Sequence, residues 1–173
     1  MPCWFLTFTC YGTHLHGAPT GSYERRPTGT RPRPPHPGLE AAMRRALAQE
    51  PYELTNRHRP LVLEAIQEFA LRKGWSLLAL HVRTTHLYVV LDAPTSAHQT
   101  LISLKAAASQ ALNLAGLDPP GRRRWTRHGS TRHLQTPAAI NAAIHYVAHS
   151  QGEPMALYVA SRTGNPSPEG PAS

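Results

Sequence analysis

The chain has 173 residues, enough for one domain with a real core. Its 18 Lys and Arg against 10 Asp and Glu give a net charge of +8, and all but two of the basic residues are arginine. Arginine forks match phosphates and stack on bases, so this balance favours nucleic acid over an acidic small substrate. No run approaches the length of a membrane span, and the opening apolar stretch is short with no charge before it, so neither a membrane partner nor a signal peptide is expected.

Residues 3–11, Cys-Trp-Phe-Leu-Thr-Phe-Thr-Cys-Tyr, have the aromatic and β-prone character of a buried strand. Cys3 and Cys10 lie seven apart in it, so they should face opposite ways and stay unbridged, which fits a reducing cytoplasm. Gly12 ends the strand, and Thr13-His14-Leu15-His16-Gly17 follows with a His-apolar-His triplet. Residues 18–38 carry Arg25-Arg26 and Arg31-Pro-Arg33-Pro-Pro. Prolines this dense exclude helix and central strand, so a surface loop inserted into the domain is expected.

A short helix is expected over 39–49 and a longer one from about Thr55 to Lys73, stopped by Gly74. Leu61, Val62, Ala65, Ile66, Phe69 and Ala70 make its apolar stripe, and Pro60 belongs in or near its first turn. Residues 75–92 then read as two strands and a tight turn at Thr84-Thr85. With an even loop there, His81 faces Tyr88 across the pair, and His81, Arg83, His86 and Tyr88 share one face. Two imidazoles, a guanidinium and a phenol on an apolar strand pair suggest a site rather than plain core.

Ser96-Ala-His-Gln99 is a capping box opening a helix that Gly116 closes. Leu101, Leu104, Ala108 and Leu112 face the core, with Lys105 and Ser109 off that stripe. The loop 117–129 holds Arg122, Arg123, Arg124, Trp125 and Arg127, a mixture suited to phosphate neutralisation and base stacking. A solvated loop with Trp125 packed inward is the alternative. A short strand, Thr131 to Gln135, comes next. Thr136 caps a last helix with Pro137 at its first position, running to Gln151 before Gly152. Ile140, Ala143, Ile144 and Val147 form its buried stripe, and Tyr146 points off it. Residues 163–173 are expected to be a disordered tail, leaving 1–162 as a single domain.

The element order is an α+β, ferredoxin-like split βαββαβ antiparallel sheet, with helices on one face and an extra C-terminal helix carrying the tyrosine. The ordered set His86-Leu87-Tyr88, Leu6-Thr-Phe-Thr-Cys-Tyr11-Gly-Thr13, Trp125-Thr-Arg-His-Gly-Ser-Thr-Arg132 and Ile144-His-Tyr146-Val resembles the HUH single-strand DNA transposases with one catalytic tyrosine. The likeness is greatest to the REP-associated tyrosine transposases and spans about residues 3–155. That family has a His-apolar-His triplet where this chain has His86-Leu87-Tyr88, so the second histidine is a tyrosine here.

The resemblance implies that Tyr146 cleaves and rejoins single-stranded or hairpin DNA through a 5′-phosphotyrosine intermediate. A divalent ion, Mg²⁺ or Mn²⁺, would act as Lewis acid on the phosphate. His86 carries over as one ligand, and Gln151 is the choice for the helix-borne ligand, ahead of its neighbours His149 and Ser150. A neutral phenol is a poor ligand for such ions. Tyr88 therefore leaves three readings: a dead metal site, substitution by His81, or substitution by His14 or His16. Arg122, Arg123, Arg124, Trp125, Arg127, Arg132 and Lys105 are the expected DNA contacts. Relatives act as pairs or as monomers, and the sequence does not choose. The competing functions are a catalytically inactive hairpin-binding protein or regulator on the same fold and, more remotely, an RNA-binding module. The RNA-binding module is disfavoured because no exposed aromatic pair is evident on the central strands and the Tyr146 helix would have no role in it. A metallo-hydrolase built on His14, His16 and His81 is more remote still, because no carboxylate is placed as a base.

Overall fold

A computed structural model describes residues 1–19, 22–26 and 29–161 of the chain. The expected disordered tail, 163–173, lies outside the described residues, as do the side chains of Arg25 and Arg26. The first strand, β1 (Cys3–Thr9), is followed by a hairpin of β2 (Ser22–Arg26) and β3 (Gly29–Arg33). Then come α1 (Pro37–Arg45), α2 (His58–Arg72), β4 (Ser76–Val82), β5 (His86–Asp92) and α3 (Ala97–Ala115). The chain continues through β6 (Ser130–Leu134), α4 (Pro137–His149) and β7 (Ala156–Val159). The main sheet has the order β6-β1-β5-β4-β7 and is antiparallel throughout. Its first four strands are the ferredoxin-like order expected from the sequence.

Two features differ from expectation. Residues 18–38 are not a plain loop, because β2 and β3 pair as a separate two-stranded sheet. Pro32 is tolerated there because both strands of a two-stranded sheet are edges. β7 adds a fifth strand beside β4, with His81 opposite Leu157. Four residues after a Gly-Glu-Pro turn carry too little alternation to announce a strand whose partner lies some 75 positions upstream.

The β4–β5 turn falls where the sequence placed it. His81 faces Tyr88, Val82 faces Leu87, and the Arg83 amide donates to the His86 carbonyl at 2.9 Å. A register shift between Leu77 and Ala79 lets both Leu78 and Ala79 face one side, which explains why the apolar run Leu77-Leu78 breaks strict alternation.

The sheet is covered on both faces. Leu6, Phe8, Leu80, Val82, Leu87, Val89 and Leu91 pack with Val62, Ile66 and Ala70 of α2 and Leu101, Leu104, Ala108 and Leu112 of α3. Cys3, Ala79, Val90 and Leu134 pack with Ala143 and Val147 of α4 on the opposite face. Cys3 and Cys10 belong to different faces and are free, as their spacing requires. No helix of the described residues is long and apolar enough to cross a membrane.

Candidate functional site

The α4 face of the sheet is where the sequence-predicted chemistry gathers. Pairing fixes its rows: Thr7 on β1 lies between Tyr88 and Ser130, Phe5 between Val90 and Arg132, and Thr9 beside His86. α4 covers only part of this face. Its start is set by Thr136, whose hydroxyl accepts from the Ala139 amide at 3.1 Å, with Pro137 inside the first turn. Such a cap is worth about 1 kcal/mol. Ala143 and Val147 seat the helix on the sheet, so Tyr146 stands at its flank, 42% exposed.

Tyr146 is part of an aromatic cluster. Its ring meets Phe5 edge-on at 6.0 Å and Tyr88 edge-on at 5.6 Å, while Phe5 and Tyr88 stack at 6.1 Å. His86 meets Tyr88 edge-on at 4.9 Å, and the exposed Arg132 guanidinium lies 5.3 Å from the Phe5 ring centre. Phe5 and Tyr88 are thus an aromatic pair on the two central strands, which the sequence reading missed. Phe5 was absorbed into a strand that looks uniformly apolar, and only its place two residues from the Thr7–Tyr88 row shows that it shares the face. The pair is not an open platform, since Tyr146 and Arg132 cover it from two sides.

Burial, then a side-chain hydrogen bond with Tyr146 and the charge Tyr146 would carry, push the Tyr88 phenol up to about 12. It is a neutral hydroxyl at any ordinary pH. Burial also lowers His86 to about 4, helped by the charges of His14, Arg83 and His81. The end of the first strand runs beside the start of β5, with Thr9 opposite His86 and the Cys10 amide donating to the Thr85 carbonyl at 2.7 Å, and the exposed His14 follows four residues after Cys10. His86 is a neutral imidazole whose Nδ1 lies 3.1 Å from the Thr85 hydroxyl.

His81 is placed for a different job. It is fully buried, with Nδ1 3.0 Å from the Val147 carbonyl of α4 and Nε2 accepting from the Met155 amide at 3.1 Å. Nδ1 must then carry the proton, and no lone pair remains to bind an ion. As placed, His81 does not substitute for the missing triplet histidine; it pins the helix and the approach to β7 against β4. Arg83 works beside it, donating to the Glu153 carbonyl at 2.9 Å. The Gln151 carboxamide folds back along α4, its Nε2 3.4 Å from the Tyr146 carbonyl.

A hard divalent ion would have to be held here by His86 with a protonated Tyr88, the Gln151 carboxamide and, from the end of the first strand, His14 as the further donors. No carboxylate joins them, and the described residues contain no group of three or more His, Cys, Asp or Glu placed to share an ion. Mg²⁺ and Mn²⁺ favour oxygen donors with charge, so this donor set does not fit them.

The basic loop divides sharply. Arg124, 6% exposed, bonds Asp118 Oδ2 at 2.7 Å and Asn113 Oδ1 at 2.9 Å. Burial tends to raise Asp118, but the Arg124 hydrogen bond, with Tyr52 and His58, holds its carboxyl low. Arg122 bonds Gln49 and the Glu50 and Pro51 carbonyls and stacks over Tyr52. Trp125 packs edge-on against Phe8 and donates to Ser109 at 2.8 Å. Lys105 donates to the Thr126 and His128 carbonyls, and burial lowers its pKa to about 8. These four expected DNA contacts are committed to holding the loop, and the inward packing of Trp125 is the arrangement found. Gly129 lets that loop approach β1, since a Cβ there would come 2.6 Å from the Thr7 carbonyl. Arg123, Arg127 and Arg132 remain exposed.

No protein-family model matches the chain, and no curated protein matches it either. Among solved structures it is similar to a REP-associated tyrosine transposase bound to a REP hairpin. The two share 12% identity at a TM-score of 0.45, over 84% of this chain and 64% of that one.

Proposed function

We propose that this protein is a transposase-like DNA-binding protein that holds single-stranded or hairpin DNA against the α4 face of its sheet without cutting it. The observation that carries this reading is the partly exposed cluster of Tyr146, Tyr88, Phe5 and Arg132. The Arg132 guanidinium offers phosphate neutralisation, and the exposed Tyr146 ring offers a stacking surface beside it. The sequence motifs set out above, and the net charge of +8, point to the same partner. The donor set that does not fit Mg²⁺ or Mn²⁺ is what favours a binder or regulator over a cutting enzyme.

A second reading rests on one observation, the exposed Tyr146 side chain on a well-seated helix, in contact with Phe5 and Tyr88, which in turn meet Arg132 and His86. In it the Tyr146 oxygen attacks the scissile phosphorus and the bond from phosphorus to the 3′-oxygen breaks. The phenol gives up its proton and the departing 3′-oxygen takes one up, so the products are a 5′-phosphotyrosine and a free 3′-hydroxyl.

Both readings are tested with labelled DNA hairpins, matched RNA hairpins and linear single strands, in Mn²⁺ or in EDTA. The binding reading predicts DNA-hairpin binding that weakens steeply with salt, survives EDTA, drops on Arg132→Ala and yields no covalent band. A protein-linked band lost in Tyr146→Phe would establish the second reading. Equal or tighter binding to RNA would overturn the choice of DNA.

A further inference from the structure

On α4, clear of both the sheet and the Tyr88 cluster, stand two further imidazoles. His145 and His149 are four residues apart on one helix, which stacks their side chains on the same face one turn apart. Both are exposed. Their ring centroids lie 4.8 Å apart with the planes tilted by 47°. That spacing fits a shared ion. With nitrogen–metal bonds of about 2.0–2.1 Å and about 1.1 Å from nitrogen to ring centre, two imidazoles on one ion put their centroids roughly 4.4–5.2 Å apart for angles of about 90–109°. The ring centres therefore fall within the range a shared ion requires, on a helix that already carries both.

The helix beneath them is firm to its last turn. Ala143 and Val147 are buried against the sheet, and the Ser150 amide closes the end on the Tyr146 carbonyl at 3.1 Å. His149 is the final helical residue, where the exposed carbonyl ends favour a cation.

We propose that His145 and His149 form a two-imidazole chelate for a borderline divalent transition ion, of the Zn²⁺, Ni²⁺ or Cu²⁺ class, on the outer face of α4. Imidazole suits these ions and not Mg²⁺. The first bond makes the second intramolecular, so the pair binds far better than either ring alone. Two protein ligands leave the remaining positions to water or to an incoming donor. The site is separate from the His86 face, and neither ring supports the core beneath α4, so both can be replaced without disturbing the fold.

The test uses Ni²⁺, which is not reduced by the chain's free cysteines. Tag-free full-length protein is titrated calorimetrically at pH 7.5, and its amide spectrum is followed for paramagnetic broadening. The expected result is an ion that broadens the α4 amides around 142–150. Its affinity falls about tenfold or more in either His145→Ala or His149→Ala, as loss of the chelate requires. The double variant should lose no more sites than the singles, with far-UV circular dichroism unchanged. Retention of full stoichiometry and affinity in either single variant would overturn the proposal. So would broadening that leaves α4 untouched, or displacement of Ni²⁺ by an equal concentration of Mg²⁺.

Discussion

Replacing His81 with alanine should cost more stability than any other single change on the α4 face. The side chain is fully buried and both ring nitrogens are bonded, to the Val147 carbonyl and from the Met155 amide. Alanine would leave that carbonyl and that amide without partners, at about 1–3 kcal/mol each. The vacated ring volume adds a packing loss, so the total should reach about 3–5 kcal/mol. For a chain of this size that corresponds to a Tm lower by roughly 6–20 °C. His81→Gln can still donate and accept near the same points and should cost only about 1–2 kcal/mol. Urea denaturation supplies the free energies, and amide exchange in α4 and β7 shows whether the loss is local. If His81→Ala lies within about 0.5 kcal/mol of wild type, the pin between helix and sheet is not what holds α4.

The pH dependence follows from two depressed imidazoles. His86 lies at about 4 and His81 is also lowered, chiefly by burial, against an unfolded value near 6.5. Through that window the unfolded chain binds more protons, so stability is full above about pH 6.5 and falls as the pH drops toward 4. Urea midpoints between pH 7.5 and 4 should show this, and His86→Ala should flatten part of the slope. The arginines should separate cleanly. Arg124→Ala should destabilise by about 3–5 kcal/mol by stranding Asp118, with DNA contacts untouched until the fold fails. Arg132→Ala should leave stability within about 0.5 kcal/mol of wild type. It should lower the salt slope of DNA binding by about one unit, and an unchanged slope would remove Arg132 from the interface.

The parts of the fold set by local pattern were legible. The Ser96 cap, the Gly116 stop and the Thr136-Pro137 start each act over a few residues and are found where the sequence put them. The two-residue turn at Thr84-Thr85 fixed the register that sets His81 opposite Tyr88. What was not legible depends on distant partners. The sequence shows that His81 shares a face with His86 and Tyr88, but not that Val147 and Met155 occupy both its nitrogens. The same is true of the basic loop. Arg122 and Arg127 look alike in sequence, and only Gln49, Glu50 and Pro51, folded in from far upstream, make one of them structural. Charge pattern gave the sign of the surface but not which charges reach it.

Tyr88 is the substitution on which the chemistry of this face turns. It sits two residues from His86 on β5, so both side chains leave the same side of the sheet, with ring centroids 4.9 Å apart. Tyr88→His would put a second lone pair beside the first in place of a phenol held protonated at about 12. The loss of the ring contacts with Phe5 and Tyr146 should cost about 0.5–1.5 kcal/mol, small enough to leave the fold intact. It would also free the Tyr146 hydroxyl from its phenolic neighbour. The Gln151 carboxamide, held by one long bond at the exposed helix end, could swing toward the ion at little cost. The variant should therefore bind Mn²⁺ where wild type does not. It should also form a protein-linked band on labelled hairpin DNA that vanishes with EDTA or with Tyr146→Phe in the same chain. A folded Tyr88→His protein that gains neither Mn²⁺ nor the band would show that the missing imidazole is not what keeps this face from cutting. The departure from a working site would then lie in the helix that carries Tyr146 rather than in the strand.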